Sequence, residues 1–325
     1  MVRRGLVLVA ALMCSPALSA QNLTRLDAVA GVPEIDKTTQ TQEIQFRNAH
    51  DDRMTVSVRL GGTGPYQFLV DTGADRSAVS SAIVAKLALE PAGSADLHSS
   101  TGVTRVATAR VPSLEFTRPT QKLIEAAVLE SAYMGADGIV GSDVLHSQRV
   151  QFDFEKKTMS VVPAAVPDFR DEPGTIVIEA RRKNGRLIVT DAVANNQTIT
   201  VVLDTGSVVC VGNQALRDRL LGRNLVDGKQ TVELESVTGA KITGDYMFVR
   251  KLDIGGITLE NLAVVFADAH TFKQLKLDKT PTLLLGMNAF RAFKKVSIDF
   301  ANRKFRVVVP ERSEIDTRLA MRGHS

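Results

Sequence analysis

Phe68-Leu69-Val70-Asp71-Thr72-Gly73 and Val201-Val202-Leu203-Asp204-Thr205-Gly206 are one pattern written twice. In each, three apolar residues run into an acid, a threonine and a glycine. A short apolar run suits a buried strand, and Asp, Thr and Gly suit the turn that ends it. One such tripeptide would carry little weight, because all three residues are common in turns. Its recurrence in the same context carries more, and the shared context extends along the chain in both directions.

Upstream of Asp71, residues 54–60 alternate as a half-buried strand should. Gly61, Gly62, Gly64 and Pro65 predict a turn, and residues 67–70 the return strand. The second copy runs through residues 187–193, turns at Asn195 and Asn196, and returns through residues 199–203. Downstream, Ser80 opens a predicted helix reaching residue 90, and Asn213 opens one reaching residue 221. A Thr-Gly turn follows in each half, Thr101-Gly102 and Thr238-Gly239. Ile139-Val140-Gly141 is then answered by Leu284-Leu285-Gly286, and each leads into a short helical segment, 142–146 and 287–293. Each half closes with an alternating strand, marked by Val150, Phe152 and Phe154 and by Val296, Ile298 and Phe300. The acidic tripeptides lie 133 residues apart and the closing glycines 145 apart, so the second half has the longer loops.

The expected architecture is therefore all-β and bilobal, with a first lobe over residues 52–165 and a second over 175–310. The blander alternative is a duplicated β domain whose Asp-Thr-Gly turns are only structural.

The rest of the composition narrows the function by exclusion. The 325 residues, 44% hydrophobic and 23% charged, allow two lobes with real cores. Trp is absent and aromatics make up 5%, so no base-stacking surface for nucleic acid is expected. Arg3 and Arg4, an apolar run over residues 5–13, and small residues at Ala17, Ser19 and Ala20 read as a leader cut near Ala20. That run is too short to span a bilayer, and no later stretch is long enough. Leu12 and Met13 precede Cys14 where small residues would favour lipidation. The expected location is periplasmic or secreted. Removing the leader takes two positive charges from the formal +4, leaving too little to argue for an acidic partner. It also leaves Cys210 alone among valines, with packing as its expected role. The five histidines are scattered, so no metal and no cofactor is expected. No G-x-S-x-G elbow or phosphate-binding glycine loop is present. Asp75 and Asp137 read as turn or loop acids. Residues 21–51 read as a linker or an extra strand, with a removable pro-segment as the alternative, and residues 311–325 as a charged tail.

FLVDTGADRSAVS (68–80) with GADGIVGSDVL (135–145), and VVLDTGSVVCVG (201–212) with PTLLLGMNAF (281–290), resemble the aspartic protease clan that includes pepsins and retroviral-type proteases. The similarity spans residues 54–310. It implies a bilobal acid-protease fold of two retropepsin-like β-barrel lobes with short helices. One chain supplies both halves, so the resemblance implies a working monomer. Asp71 and Asp204 would be the catalytic pair, because two carboxylates sharing one proton offer both a base for water and an acid for the amide. Thr72 and Thr205 would bond across the lobes. Gly73 and Gly206 would let the backbone approach the carboxylates and donate N–H groups to them. Ala74 and Ser207 would give the two acids unequal neighbours. Thr101-Gly102 and Thr238-Gly239 would be flap turns over an extended polypeptide substrate. Pepsin flaps carry a tyrosine near the tip, whereas Ser99 and Ser100 stand here. The rival reading is a peptide-binding module that holds chains without cutting them.

Overall fold

The structure is a computed structural model. It describes residues 24–27 and 226–229 by backbone, and residues 54–115, 123–165, 168–169, 172–222 and 230–310 in full. The expected leader and the charged tail lie outside the described residues, as does most of 21–51. Within that segment Thr24–Asp27 is a strand, paired in parallel with residues 257–260.

The described residues are mostly strand, arranged in three sheets. The eight-stranded sheet belongs to the first half and the nine-stranded sheet to the second, apart from Thr24–Asp27. Their centres follow one plan. Thr63–Val70 pairs in parallel with Gly138–Val140, and Gln197–Leu203 pairs in parallel with Thr282–Leu285. Val70, Val140, Leu203 and Leu285 are each at most 3% exposed. Strands covered on both faces need continuous apolar runs, which is why these segments do not alternate. The five-stranded sheet joins the halves: Gln148–Asp153 lies antiparallel to Lys295–Asp299, so the two closing strands meet edge to edge.

Local boundaries follow the sequence with physical exceptions. The turn before Asp71 is only Gly61-Gly62, both at positive φ, and Gly64 and Pro65 already belong to the return strand. The first helix, Ser81–Leu87, is capped by Ser80, whose hydroxyl accepts from the Ile83 N–H. It stops three residues before the predicted end. Ala88 turns left-handed, and the approach to Pro91 disfavours helix. Its counterpart, Gln214–Leu221, is capped by Asn213 and ends at Leu221 as predicted. No helix among the described residues is long and apolar enough to cross a membrane.

Candidate active site

Each Asp-Thr-Gly turn hangs from the end of a buried strand and is tied to its apolar neighbour. The Asp71 N–H donates to Val140 O at 3.0 Å, and the Asp204 N–H to Leu285 O at 3.1 Å. One turn later the tie repeats: Ser142 N–H donates to Ala74 O and Met287 N–H to Ser207 O. Gly141 and Gly286 allow this closeness, since an added Cβ would lie 2.6 Å from the Arg76 carbonyl and 2.7 Å from that of Val209.

The two turns grip each other through their threonines. Thr72 Oγ1 accepts from the Thr205 N–H at 3.1 Å and donates to Leu203 O at 2.9 Å. Thr205 Oγ1 accepts from the Thr72 N–H at 3.1 Å and donates to Val70 O at 2.6 Å. Thr72 is 1% and Thr205 8% exposed, so water offers these groups little replacement for their partners.

This grip brings the carboxylates to one place. A Cβ added to Gly73 would lie 2.6 Å from Asp204 Oδ1 and 3.1 Å from Asp71 Oδ1, so both acids reach the same small volume. One added to Gly206 would lie 2.3 Å from Asp71 Cγ. Only glycine fits at either position. Each glycine also donates its N–H to the acid of its own turn, at 2.7 Å to Asp71 and 3.1 Å to Asp204. Ser207 Oγ donates to Asp204 Oδ2 at 2.7 Å, a bond Ala74 has no hydroxyl to match.

Support behind the turns is also duplicated, with one change of chemistry. Ser77 donates its hydroxyl to Asp143 and accepts from the Gly141 N–H. Cys210 stands six residues after Asp204, as Ser77 does after Asp71, and its thiol donates to Asn288 Oδ1 while accepting from the Gly286 N–H. Burial, the largest influence, pushes the Cys210 thiol up to about 12, so it remains a neutral donor. Cys210 is buried as the sequence suggested, with a hydrogen-bonding role that the valines around it concealed.

Above the acids lies a cleft of about 640 Å³, lined from both halves. Two hairpins, the first and the second flap, help to line it. The first flap is Pro91–Ser99 with Gly102–Val111, and the second is Val226–Glu235 with Lys241–Ile254. Thr101-Gly102 and Thr238-Gly239 sit at the two tips, and Thr101 Oγ1 donates across to Ser236 Oγ at 3.2 Å. The cleft walls are formed by their neighbours, such as Leu97, Ser99, Leu234 and Ser236. A tyrosine does meet a flap, but from elsewhere in the chain: the ring of Tyr133 packs against Gly239.

Three features of the site were not read from the sequence. Arg186, 3% exposed, crosses from the second half to donate Nε–H to Gly73 O at 2.6 Å. It also pairs with Asp75 at 3.1 Å, while Gln274 donates to the same carboxylate. Asp75 thus braces the two halves. His98 of the first flap meets His270 of the second half, Nδ1 to Nε2 at 2.9 Å with the rings stacked. Long-range pairs of this kind have no local spacing to betray them. Among the described residues, no three His, Cys, Asp or Glu side chains are placed to share a metal ion.

Comparison with known proteins agrees with the duplication. Residues 56–147 match the family model described as "gag-polyprotein putative aspartyl protease". Residues 190–289 match the model described as "Aspartyl protease". A solved structure of a retropepsin-like aspartic protease from Rickettsia conorii is 21% identical, with 41% of this chain and 89% of that chain covered and a TM-score of 0.29. No curated protein matches the chain.

Proposed function

The chain belongs to the aspartyl proteases, and from that premise we propose that it is a single-chain aspartic endopeptidase with Asp71 and Asp204 as its catalytic pair. The observation that carries the reading is the convergence of both carboxylates on one point beneath the cleft, one from each half.

In the proposed reaction the pair holds one proton and a water between its carboxyl groups. The charged carboxylate takes a proton from the water as the water oxygen attacks the peptide carbonyl carbon. The protonated partner gives its proton to the carbonyl oxygen, and a neutral diol forms. A proton then passes to the amide nitrogen, the C–N bond breaks, and a diol hydroxyl returns its proton to the pair. One peptide and one water become an acid and an amine. The glycine N–H groups and Ser207 fix the carboxylates, while the threonine grip fixes the distance between them.

The same proposal has an extended polypeptide as substrate, a monomer as the working form, and a periplasmic or secreted location after cleavage near Ala20. To test it, the purified mature chain is incubated with a mixed peptide pool and the products are identified by mass. Internal cleavage is expected, reduced about 10²- to 10⁴-fold by Asp71→Asn. Saturable binding with no cleavage by the wild-type chain would replace the endopeptidase with a binding module.

A further inference from the structure

The charged side chains lining the cleft are nearly all paired off. Asp75 is held by Arg186 at 3.1 Å, Asp96 by Arg105 at 3.0 Å, and Glu233 by Lys241 at 3.0 Å. His98 is held by His270, and Asp71 and Asp204 form the central pair. Arg76 and Glu235 remain. Both are exposed, both line the cleft, and neither makes a hydrogen bond or ion pair through its side chain among the described residues.

The duplication makes both positions informative. Arg76 stands five residues after Asp71, and its backbone is pinned against Gly141. The matching position after Asp204 is Val209, pinned in the same way against Gly286 but apolar and 7% exposed. One wall of the cleft therefore carries an open cation where the other carries a hydrocarbon. Glu235 precedes Ser236 at the second flap tip just as His98 precedes Ser99 at the first. His98 is tied down by its partner, whereas Glu235 is open. Apolar residues from both halves share the lining: Ala78, Leu129 and Ile139 from one, and Val211 and Leu284 from the other.

We propose that Arg76 and Glu235 set the charge preference of the peptide site, Arg76 selecting an acidic side chain and Glu235 a basic one within an otherwise largely apolar lining. This rests on the cleft being the peptide site proposed above. A bound strand presents its side chains at fixed intervals, so each preference belongs at a fixed offset from the scissile bond. Partly exposed pairs are weak, and each preference should amount to about three- to fivefold.

The test profiles the cleavage sites of a mixed peptide pool with the wild type, Arg76→Glu and Glu235→Lys. Acidic residues should be enriched at one offset and basic residues at another. Arg76→Glu should remove the first preference alone, and Glu235→Lys the second alone. The same pool is passed over the three proteins carrying Asp204→Asn, and captured peptides are identified. Charge-selective capture that switches with each variant supports the inference even where the wild type cuts nothing, in which case only the endopeptidase reading fails. Cleavage or capture without charge preference, or with preferences that survive both variants, overturns it. Absence of both cleavage and capture overturns it together with the reading it rests on.

Discussion

Ser207 donates a hydroxyl to Asp204, and the matching residue beside Asp71 is Ala74. A hydrogen bond to a carboxylate favours its charged form. Ala74→Ser supplies the missing donor, so the acid limb of the pH–rate profile is expected to move to lower pH. An unmoved limb would show that the neighbouring hydroxyl does not tune the pair. The meeting of the acids, threonines and glycines was legible in the sequence because each half repeats them at the same local spacing. Arg186 was not legible: it reaches the Gly73 carbonyl across 113 residues, and a lone arginine in a strand has no pattern to mark it. The thiol bond of Cys210 was hidden for another reason. Its match to Ser77 emerges only when the halves are aligned residue by residue, and its neighbours Val208, Val209 and Val211 suggest simple packing.

Among the elements, the flaps gained most from the structure. Their turns were readable from Thr-Gly, but their attachment was not. The first flap docks on the second half twice, through the His98–His270 ring bond and through the His270 N–H donating to Ser100 O at 2.8 Å. The ring bond needs one donating and one bare nitrogen, so at least one imidazole must be neutral. Burial, then the charges of His98 and Lys273, lower the His270 pKa below its ordinary 6.5. Lys273 is itself paired with Asp268, the nearest acid on that segment. A depressed histidine contributes its bond fully above the ordinary pKa and loses it as pH falls through the lowered one. Amide hydrogen exchange over residues 91–111, corrected for intrinsic rate, should therefore show protection at pH 7 that declines in mild acid. His270→Asn should flatten that decline. An identical pH response in both proteins would rule out the ring pair as a flap contact.

At the scale of the whole molecule, the halves are joined by the threonine grip and by the shared five-stranded sheet. On the strands of that sheet Arg149, with no exposed side chain, lies 3.3 Å from both Asp168 and Asp299. Burial alone would raise the Asp299 pKa, but hydrogen bonds from Asn302 and the Arg149 charge outweigh it and hold the carboxyl below its ordinary 3.8. The contribution of Asp299 is thus complete above that value and fades only in stronger acid. Asp299→Asn should cost about 3 kcal/mol in urea denaturation, and a loss below about 1 kcal/mol would contradict a strongly coupled buried cluster. The bilobal plan itself was legible, because duplicated strands carry their order in the sequence. The meeting of Gln148–Asp153 with Lys295–Asp299 was not, since alternation predicts strands without naming their partners. One catalytic unit made from two acids, one from each half, would have a kinetic signature. The most direct measurement is the peptide-cleavage rate of Asp71→Asn, Asp204→Asn and the double variant against the wild type. Residues that act as a unit are non-additive, so each single variant should lose nearly all activity and the double variant little more. A single variant that keeps substantial activity, or losses that multiply in the double variant, would show that the two acids do not act as one pair.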